Sequence, residues 1–143
     1  PGAVCVIPID NDENVIMIKQ FRYPFSEVLL EIPAGKLEPN EDPLEAVKRE
    51  LEEESGVNAQ SVEYIGTMYT TVAILDEKIH MYLATGLTYK SAHPDEGEFL
   101  EVERIPLKTL VDMVMEGKIP DSKTQIAILK AEKILASRKT GEK

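Results

Sequence analysis

Residues 35–57 read GKLEPNEDPLEAVKRELEEESGV, and this stretch carries the most informative pattern of the chain. Eight of its residues are acidic and three are basic, which leaves −5 of the chain's formal net charge of −10 in this one segment. So many carboxylates close together require a partner. A divalent cation is the simplest partner, because hard cations prefer oxygen ligands.

The second half of the stretch predicts a helix with defined ends. Asp42 stands at a capping position, and Pro43 suits the first helical residue, where no amide hydrogen is needed. Gly56 stands where a left-handed residue commonly ends a helix. Three apolar residues recur at helical spacing and predict the buried face, namely Leu44, Val47 and Leu51.

The polar side of this helix carries three carboxylates at spacings of three and four residues. Glu50, Glu53 and Glu54 therefore project from one face. Like charges at this spacing destabilise an isolated helix by roughly a few tenths of a kcal/mol per pair, and a bound magnesium ion would remove that repulsion. Taken alone, the acidic run is more typical of a solvated helix face than of a metal site.

The whole stretch resembles the Nudix box. The defined positions of that motif are occupied here by Gly35, Glu41, Arg49, Glu50, Leu51, Glu53, Glu54, Gly56 and Val57. The resemblance implies a mixed α/β fold, the Nudix α/β/α sandwich, in which a sheet is flanked by helices. It also implies that Glu50, Glu53 and Glu54 bind Mg²⁺, with Mn²⁺ as a substitute. By the same resemblance Arg49 pairs with carboxylates, Glu41 supports the loop and Gly35 permits its tight turn.

Two further segments resemble the ADP-ribose pyrophosphatase branch of that family, residues 19–22 (KQFR) and residues 31–35 (EIPAG). This resemblance implies that the backbone carbonyl of Ala34 is an additional metal ligand, and that Arg22 and Glu31 belong to the substrate site. A guanidinium suits a diphosphate because it offers a two-pronged, permanently charged donor. The alternative for Arg22 is an ordinary cation at the end of a strand.

Residues 95–102 (DEGEFLEV) resemble the segment that carries a catalytic glutamate on a loop in the same branch. The match assigns that role to Glu98, and Pro94 and Gly97 independently predict a loop there. The alternative is that Glu98 is one of several acids on an exposed turn. Glu53 on the box helix is the next candidate for the general base.

The resemblance implies hydrolysis of the diphosphate of ADP-ribose to AMP and ribose 5-phosphate. It is incomplete at residues 70–77 (TTVAILDE), where the branch usually has a Ser-Pro-Gly stretch before its Asp-Glu pair. The sugar moiety therefore stays open, and GDP-mannose, a dinucleotide or NADH are alternative substrates. A nucleotide-binding regulator without turnover is a further alternative.

Outside the box, the pattern predicts strands at residues 2–9, 15–22, 28–32, 62–69, 78–87 and 99–105. The first two are expected to form a hairpin around the polar turn at residues 11–14. Two helices are predicted at 106–115 and 122–137. The second has Ile126, Leu129, Lys133 and Ile134 along one side.

Composition narrows the class of protein. The 143 residues suit one domain, with no counterpart of the branch's N-terminal β-domain. The acidic balance argues against nucleic-acid binding, and no apolar run approaches the roughly 18 residues that cross a membrane. Cys5 is the only cysteine, which favours a reducing, cytoplasmic setting. A nucleoside diphosphate-sugar substrate and a homodimer are expected from the branch.

Overall fold

The computed structural model describes residues 2–90 and 101–141, which form seven strands and three helices. In chain order the elements are β1 (Gly2–Pro8), β2 (Asn14–Arg22), β3 (Glu27–Glu31), β4 (Ala34–Lys36), α1 (Pro43–Ser55), β5 (Val57–Tyr69), β6 (Lys78–Tyr89), β7 (Glu101–Pro106), α2 (Leu107–Met115) and α3 (Ser122–Lys139).

The strands form two sheets. One has the order β4-β1-β6-β5, with β1 and β6 parallel and the other pairs antiparallel. The other has the order β3-β2-β7 and is entirely antiparallel. In the first sheet Cys5 lies opposite Ala34 on one side and opposite Met81 on the other. The register therefore places Ala34, whose carbonyl is an expected metal ligand, next to strand β1.

The predicted hairpin of β1 and β2 is wrong. The turn itself is present, because the Asp10 carboxylate accepts hydrogen bonds from the amides of Asp12 and Asn14, both at 2.9 Å. Beyond a single bridge between Ile9 and Val15, however, the strands join different sheets. Both edges of β1 are already occupied by β4 and β6, so no edge remains for β2.

Alternate residues of β1 enter two separate cores. Val4 and Val6 pack in a cluster with the buried face of α1, whereas Cys5 and Ile7 pack in a cluster with residues of α2 and α3. This alternation is the period of two that an extended strand imposes. Helices therefore cover both sides of the sheets, and the predicted α/β/α sandwich is confirmed.

The apolar side of α3 noted in the sequence is not the side that is most buried, although Ile134 packs against the core. Ile126 and Leu129 are exposed, and the helix instead buries Lys123, Thr124, Ala127, Ile128 and Ala131. Two alanines allow the helix to approach the sheet closely, and hydrogen bonds fix the inward orientation of its first turn. The sequence pattern also missed the short strand β4. Among the described residues, no helix is both long enough and apolar enough to cross a bilayer.

Candidate functional site

The box helix α1 begins and ends as predicted. Pro43 is its first residue, and Gly56 ends it in the left-handed region at φ 70°, with its amide donating to the Glu52 carbonyl at 2.9 Å. Val47 and Leu51 are fully buried, and Leu44 packs against the same cluster. Asp42 occupies the N-cap position as predicted, but its side chain makes no capping hydrogen bond. The buried face orients the carboxylates of the opposite face toward β4.

Gly35 of β4 lies directly against the carboxylate of Glu50. A Cβ atom added at Gly35 would lie 2.1 Å from Cδ, 2.2 Å from Oε1 and 2.6 Å from Oε2 of Glu50. Real Cβ atoms do not approach other atoms this closely. Glycine is therefore needed here to leave room for the carboxylate. The tight turn expected at Gly35 is wrong, because this residue lies in the extended strand β4 and its φ is not in the left-handed region.

Arg49 holds three carboxylates with one guanidinium group. Its Nε and Nη2 atoms each donate to Glu41 at 3.0 Å, and its Nη1 atom donates to Glu50 at 2.9 Å and to Glu53 at 3.3 Å. Glu41 also accepts a hydrogen bond from the amide of Glu38 at 3.0 Å, which ties down the loop before the helix. The expected pairing of Arg49 and the expected support of the loop by Glu41 are both confirmed by these contacts.

The carboxylate of Glu54 is buried and turned toward the backbone of β4. Its Oε1 accepts a hydrogen bond from the amide of Ala34 at 2.9 Å. Burial raises the pKa of Glu54 to about 8. The Ala34 amide opposes this shift, and the neighbouring charge of Glu50 adds to it. Burial also raises the pKa of Glu50, against the lowering effect of Arg49.

The donor set fits a hard divalent cation. Glu50 and Glu54 are close enough to share a hydrogen bond, and their raised pKa values show that two negative charges are unfavourable there without a counter-charge. Over residues 2–90 and 101–141, however, no three acidic, His or Cys side chains already converge into a metal-binding group. Glu53 is turned toward Arg49 and is half exposed, so it would have to rotate to become a ligand.

Arg22 and Glu31 form a two-pronged ion pair beside α1. The Nε and Nη2 atoms of Arg22 donate to the two carboxylate oxygens of Glu31, each at 2.8 Å. Glu31 is 1% exposed, whereas the side chain of Arg22 keeps 40% of its surface in solvent. The pKa of Arg22 is raised first by Glu31, with contributions from Asp121 and Glu54. Arg22 therefore lies within electrostatic reach of the box helix, and it is not an isolated cation at a strand end.

The sequence did not reveal that the first turn of α3 joins this ion pair. Lys123 donates to Glu31 at 2.8 Å and to Asp121 at 2.9 Å. Burial alone would raise the pKa of Glu31, but the hydrogen bonds from Arg22 and Lys123 outweigh it, and the pKa is lowered. One signal was visible, because a lysine in the first turn of a helix opposes the helix dipole and therefore indicates an acidic partner.

The predicted catalytic residue Glu98 lies outside the described residues. Glu53, the next candidate, is on α1 and contacts Arg49. The structure brings together Arg22, Glu31 and the amide of Ala34 with the carboxylates of α1 at one end of β3 and β4. A cluster of acidic oxygen donors beside a solvent-accessible guanidinium defines a site for a metal-bound phosphate compound.

The comparisons agree with this class of site. Residues 1–126 match the NUDIX domain, and the chain belongs to this family. It is 42% identical over 130 residues to the methanol dehydrogenase activator of Bacillus methanolicus, and 40% identical over 130 residues to the ADP-ribose pyrophosphatase of Bacillus subtilis strain 168. Each alignment covers 90% of this chain and 70% of the relative.

A solved structure described as an ADP compounds hydrolase superposes with a TM-score of 0.85 at 25% sequence identity, covering 96% of this chain and 74% of the other. The resemblance to the Nudix family and to its ADP-ribose pyrophosphatase branch is confirmed. The chain is a Nudix hydrolase.

Proposed function

We propose that this enzyme hydrolyses the diphosphate of ADP-ribose to AMP and ribose 5-phosphate with Mg²⁺ as its cofactor, for which Mn²⁺ can substitute. The observation that carries the proposal is the placement of Arg22. Its guanidinium is held by the buried Glu31, keeps an exposed surface and lies within electrostatic reach of Glu54. A diphosphate needs both a fixed cation and a metal, and the cation Arg22 lies close to the carboxylates that would hold the metal.

Different residues of the chain would hold the metal, bind the substrate and activate the water. Glu50, Glu53, Glu54 and the Ala34 carbonyl would hold the metal. Arg49 fixes the orientation of Glu50, whereas Glu53 would have to leave its contact with Arg49 to join the other ligands. When bound, the metal supplies positive charge that neutralises the phosphate oxygens and the charge that develops during attack by water.

Arg22 binds and orients the diphosphate, and Glu98 removes the proton from the attacking water. Glu53 is the alternative base.

The names of similar proteins support ADP-ribose as the substrate, since a relative at 40% identity is an ADP-ribose pyrophosphatase. The relative at 42% identity is named as an activator of methanol dehydrogenase, which favours regulation of another enzyme as a second candidate function. We place hydrolysis first because a binding module has no need of the complete set of box carboxylates.

A substrate panel tests the proposal. ADP-ribose, GDP-mannose, NADH and a dinucleoside diphosphate are incubated with the enzyme in the presence of Mg²⁺, Mn²⁺ or EDTA. The enzyme is then removed by ultrafiltration, and the products are treated with alkaline phosphatase in excess Mg²⁺ and Zn²⁺ before inorganic phosphate is measured. Only cleavage of the diphosphate exposes monoesters to the phosphatase.

ADP-ribose is expected to have the highest kcat/KM, and EDTA is expected to abolish turnover. A higher kcat/KM for another member of the panel would replace the substrate. Tight nucleotide binding without any turnover would favour the regulator.

We further propose that the enzyme acts in the cytoplasm as a homodimer. Cys5 is the only cysteine of the sequence and is a free thiol, which supports a reducing setting. The dimer rests on the resemblance to the branch alone.

A further inference from the structure

The first turn of α3 carries a buried lysine that the hydrolysis mechanism above does not use. Lys123 is 9% exposed, and its Nζ atom lies 2.8 Å from Oε1 of Glu31 and 2.9 Å from Oδ2 of Asp121. A buried ammonium group at the positive end of a helix is unfavourable unless acidic partners compensate it. Its two carboxylate partners therefore determine where Lys123 points.

Glu31 receives both cations on one carboxylate. Arg22 donates to Oε2 through Nε and to Oε1 through Nη2, and Lys123 donates to the same Oε1 atom. Three donors from two directions leave this buried carboxylate a single orientation. Because the guanidinium is planar, the orientation of Glu31 sets the plane of Arg22 and the edge that it presents to solvent.

The turn that carries Lys123 is fixed relative to the same strand. Asp121 accepts hydrogen bonds from the amide of Thr124 at 3.3 Å and from its hydroxyl at 2.5 Å. The Thr124 hydroxyl oxygen in turn accepts a hydrogen bond from the amide of Ile32, the residue after Glu31, at 3.2 Å. Lys123 therefore contacts Glu31 from a rigid base, and not from a loop that could follow the movement of Glu31.

We infer that Lys123 is a positioning residue for substrate binding, which acts through Glu31 to hold Arg22 in the orientation that accepts a diphosphate. The inference rests on the proposed function, because it assumes that Arg22 binds the diphosphate. Lys123 is itself too buried to reach a ligand at the exposed edge of Arg22. Its contribution is thus to substrate affinity, and the reacting atoms do not depend on it directly.

The test is a double-mutant cycle on ADP-ribose hydrolysis with saturating Mg²⁺, using Arg22→Met, Lys123→Met and the pair together. Lys123→Met is expected to raise KM roughly tenfold, the usual scale for loss of a charged hydrogen bond, while kcat stays within about threefold of wild type. Lys123→Arg, which keeps the charge, is expected to recover most of the affinity. Lys130→Met is the matched control, because Lys130 lies on the exposed side of α3 and donates to the carbonyl of Ile65.

The decisive comparison is in the Arg22→Met background, where Lys123→Met should change KM by less than about twofold, because residues that act as a unit are not additive. The inference would be overturned if the rise in KM of the double variant were the product of the rises in the two single variants. An unchanged KM in folded Lys123→Met would also overturn it. If Arg22→Met itself has the wild-type KM, the proposed role of Arg22 fails first, and the inference fails with it. Should Lys123→Met not fold, Lys123→Gln enters the same cycle with the same criterion, because Gln can still donate to Glu31 without carrying a charge.

Discussion

Replacing Gly35 with alanine should inactivate the metal site without unfolding the protein. The new Cβ atom would lie 2.1 Å from Cδ of Glu50, so the carboxylate must move. It is the far end of a flexible side chain, and the backbone of Gly35 is not in the left-handed region that only glycine favours. The displacement therefore falls on a metal ligand and leaves the sheet intact.

The cost to folding can be worked from the contacts that are lost. Moving Glu50 breaks the 2.9 Å hydrogen bond that it accepts from Arg49. Arg49 is partly exposed, and it keeps both of its hydrogen bonds to Glu41. An exposed ion pair of this kind contributes roughly 1 kcal/mol or less. Alanine in place of glycine stabilises by roughly 0.4–1 kcal/mol through the unfolded chain. The two effects nearly cancel, so the free energy of unfolding in EDTA should change by less than about 1 kcal/mol.

Activity should respond much more strongly. Disturbing the residues that orient metal ligands commonly costs roughly 10–100-fold, so displacement of a ligand itself should lower kcat/KM by at least about 100-fold. The assay is kcat/KM on ADP-ribose as a function of Mg²⁺ concentration, together with urea unfolding in EDTA. Gly2→Ala is the control, since Gly2 lies on the adjacent strand β1. Its added Cβ would lie 3.3 Å from the tip of Leu37 and 3.5 Å from the carbonyl oxygen of Lys78, and it would meet no box carboxylate. An unchanged Mg²⁺ midpoint in Gly35→Ala would refute the reasoning, and so would unfolding of the variant in EDTA.

Three further outcomes are expected. Glu54→Gln should weaken Mg²⁺ binding and activity together, and an unchanged Mg²⁺ requirement would remove Glu54 from the site. In metal-free protein the pKa of Glu54 is raised from 4.5 to about 8, so the folded state binds the proton of Glu54 more tightly than the unfolded state does. The contribution of Glu54 to the free energy of unfolding is therefore fully present below pH 4.5, and it is lost as the pH rises through 8. Urea unfolding in EDTA should therefore show stability falling from pH 6 to pH 9, a slope that Glu54→Gln flattens. Glu98→Gln should lower kcat roughly 10²–10⁴-fold with little change in KM. The control variants Glu96→Gln and Glu101→Gln should not lower kcat in this way. A rate for Glu98→Gln within a few-fold of wild type would assign the role of general base to Glu53 instead. Light scattering of the longest natural form of the protein should give a dimer, and a monomer at micromolar concentration would contradict this.

Local signals in the sequence predicted the elements whose ends are set locally. The helix from Pro43 to Gly56 is the clearest case, because a proline at the start and a left-handed glycine at the end act through the backbone of neighbouring residues. The box motif also indicated that Arg49 would contact carboxylates of the same segment. These interactions span at most eight residues. The residue pattern predicts the helix, and the resemblance to the box predicts the contacts of Arg49.

Long-range pairing was beyond the reach of the same reasoning. The turn after β1 was predicted correctly, but the parallel partner of β1 is β6, more than 70 residues further along the chain. The bond from Lys123 to Glu31 spans 92 residues, and it turns the first turn of α3 inward against the apolar pattern of the helix. A hydrophobic pattern shows which residues can be buried, but it does not show which polar partner orients a helix.

The central position of β1 also bears on when the enzyme becomes active during its own synthesis. The helix α1 shares one apolar cluster with Val4 and Val6 of β1, which are translated before it, and with Tyr82 and Ala84 of β6, which are translated after it. A ribosome that has released the box helix has not yet released the strand that completes its support. Contacts of such large sequence separation slow folding, because loop closure must precede them. The nascent chain should therefore acquire its affinity for magnesium late, once residues 78–89 have emerged and joined the sheet.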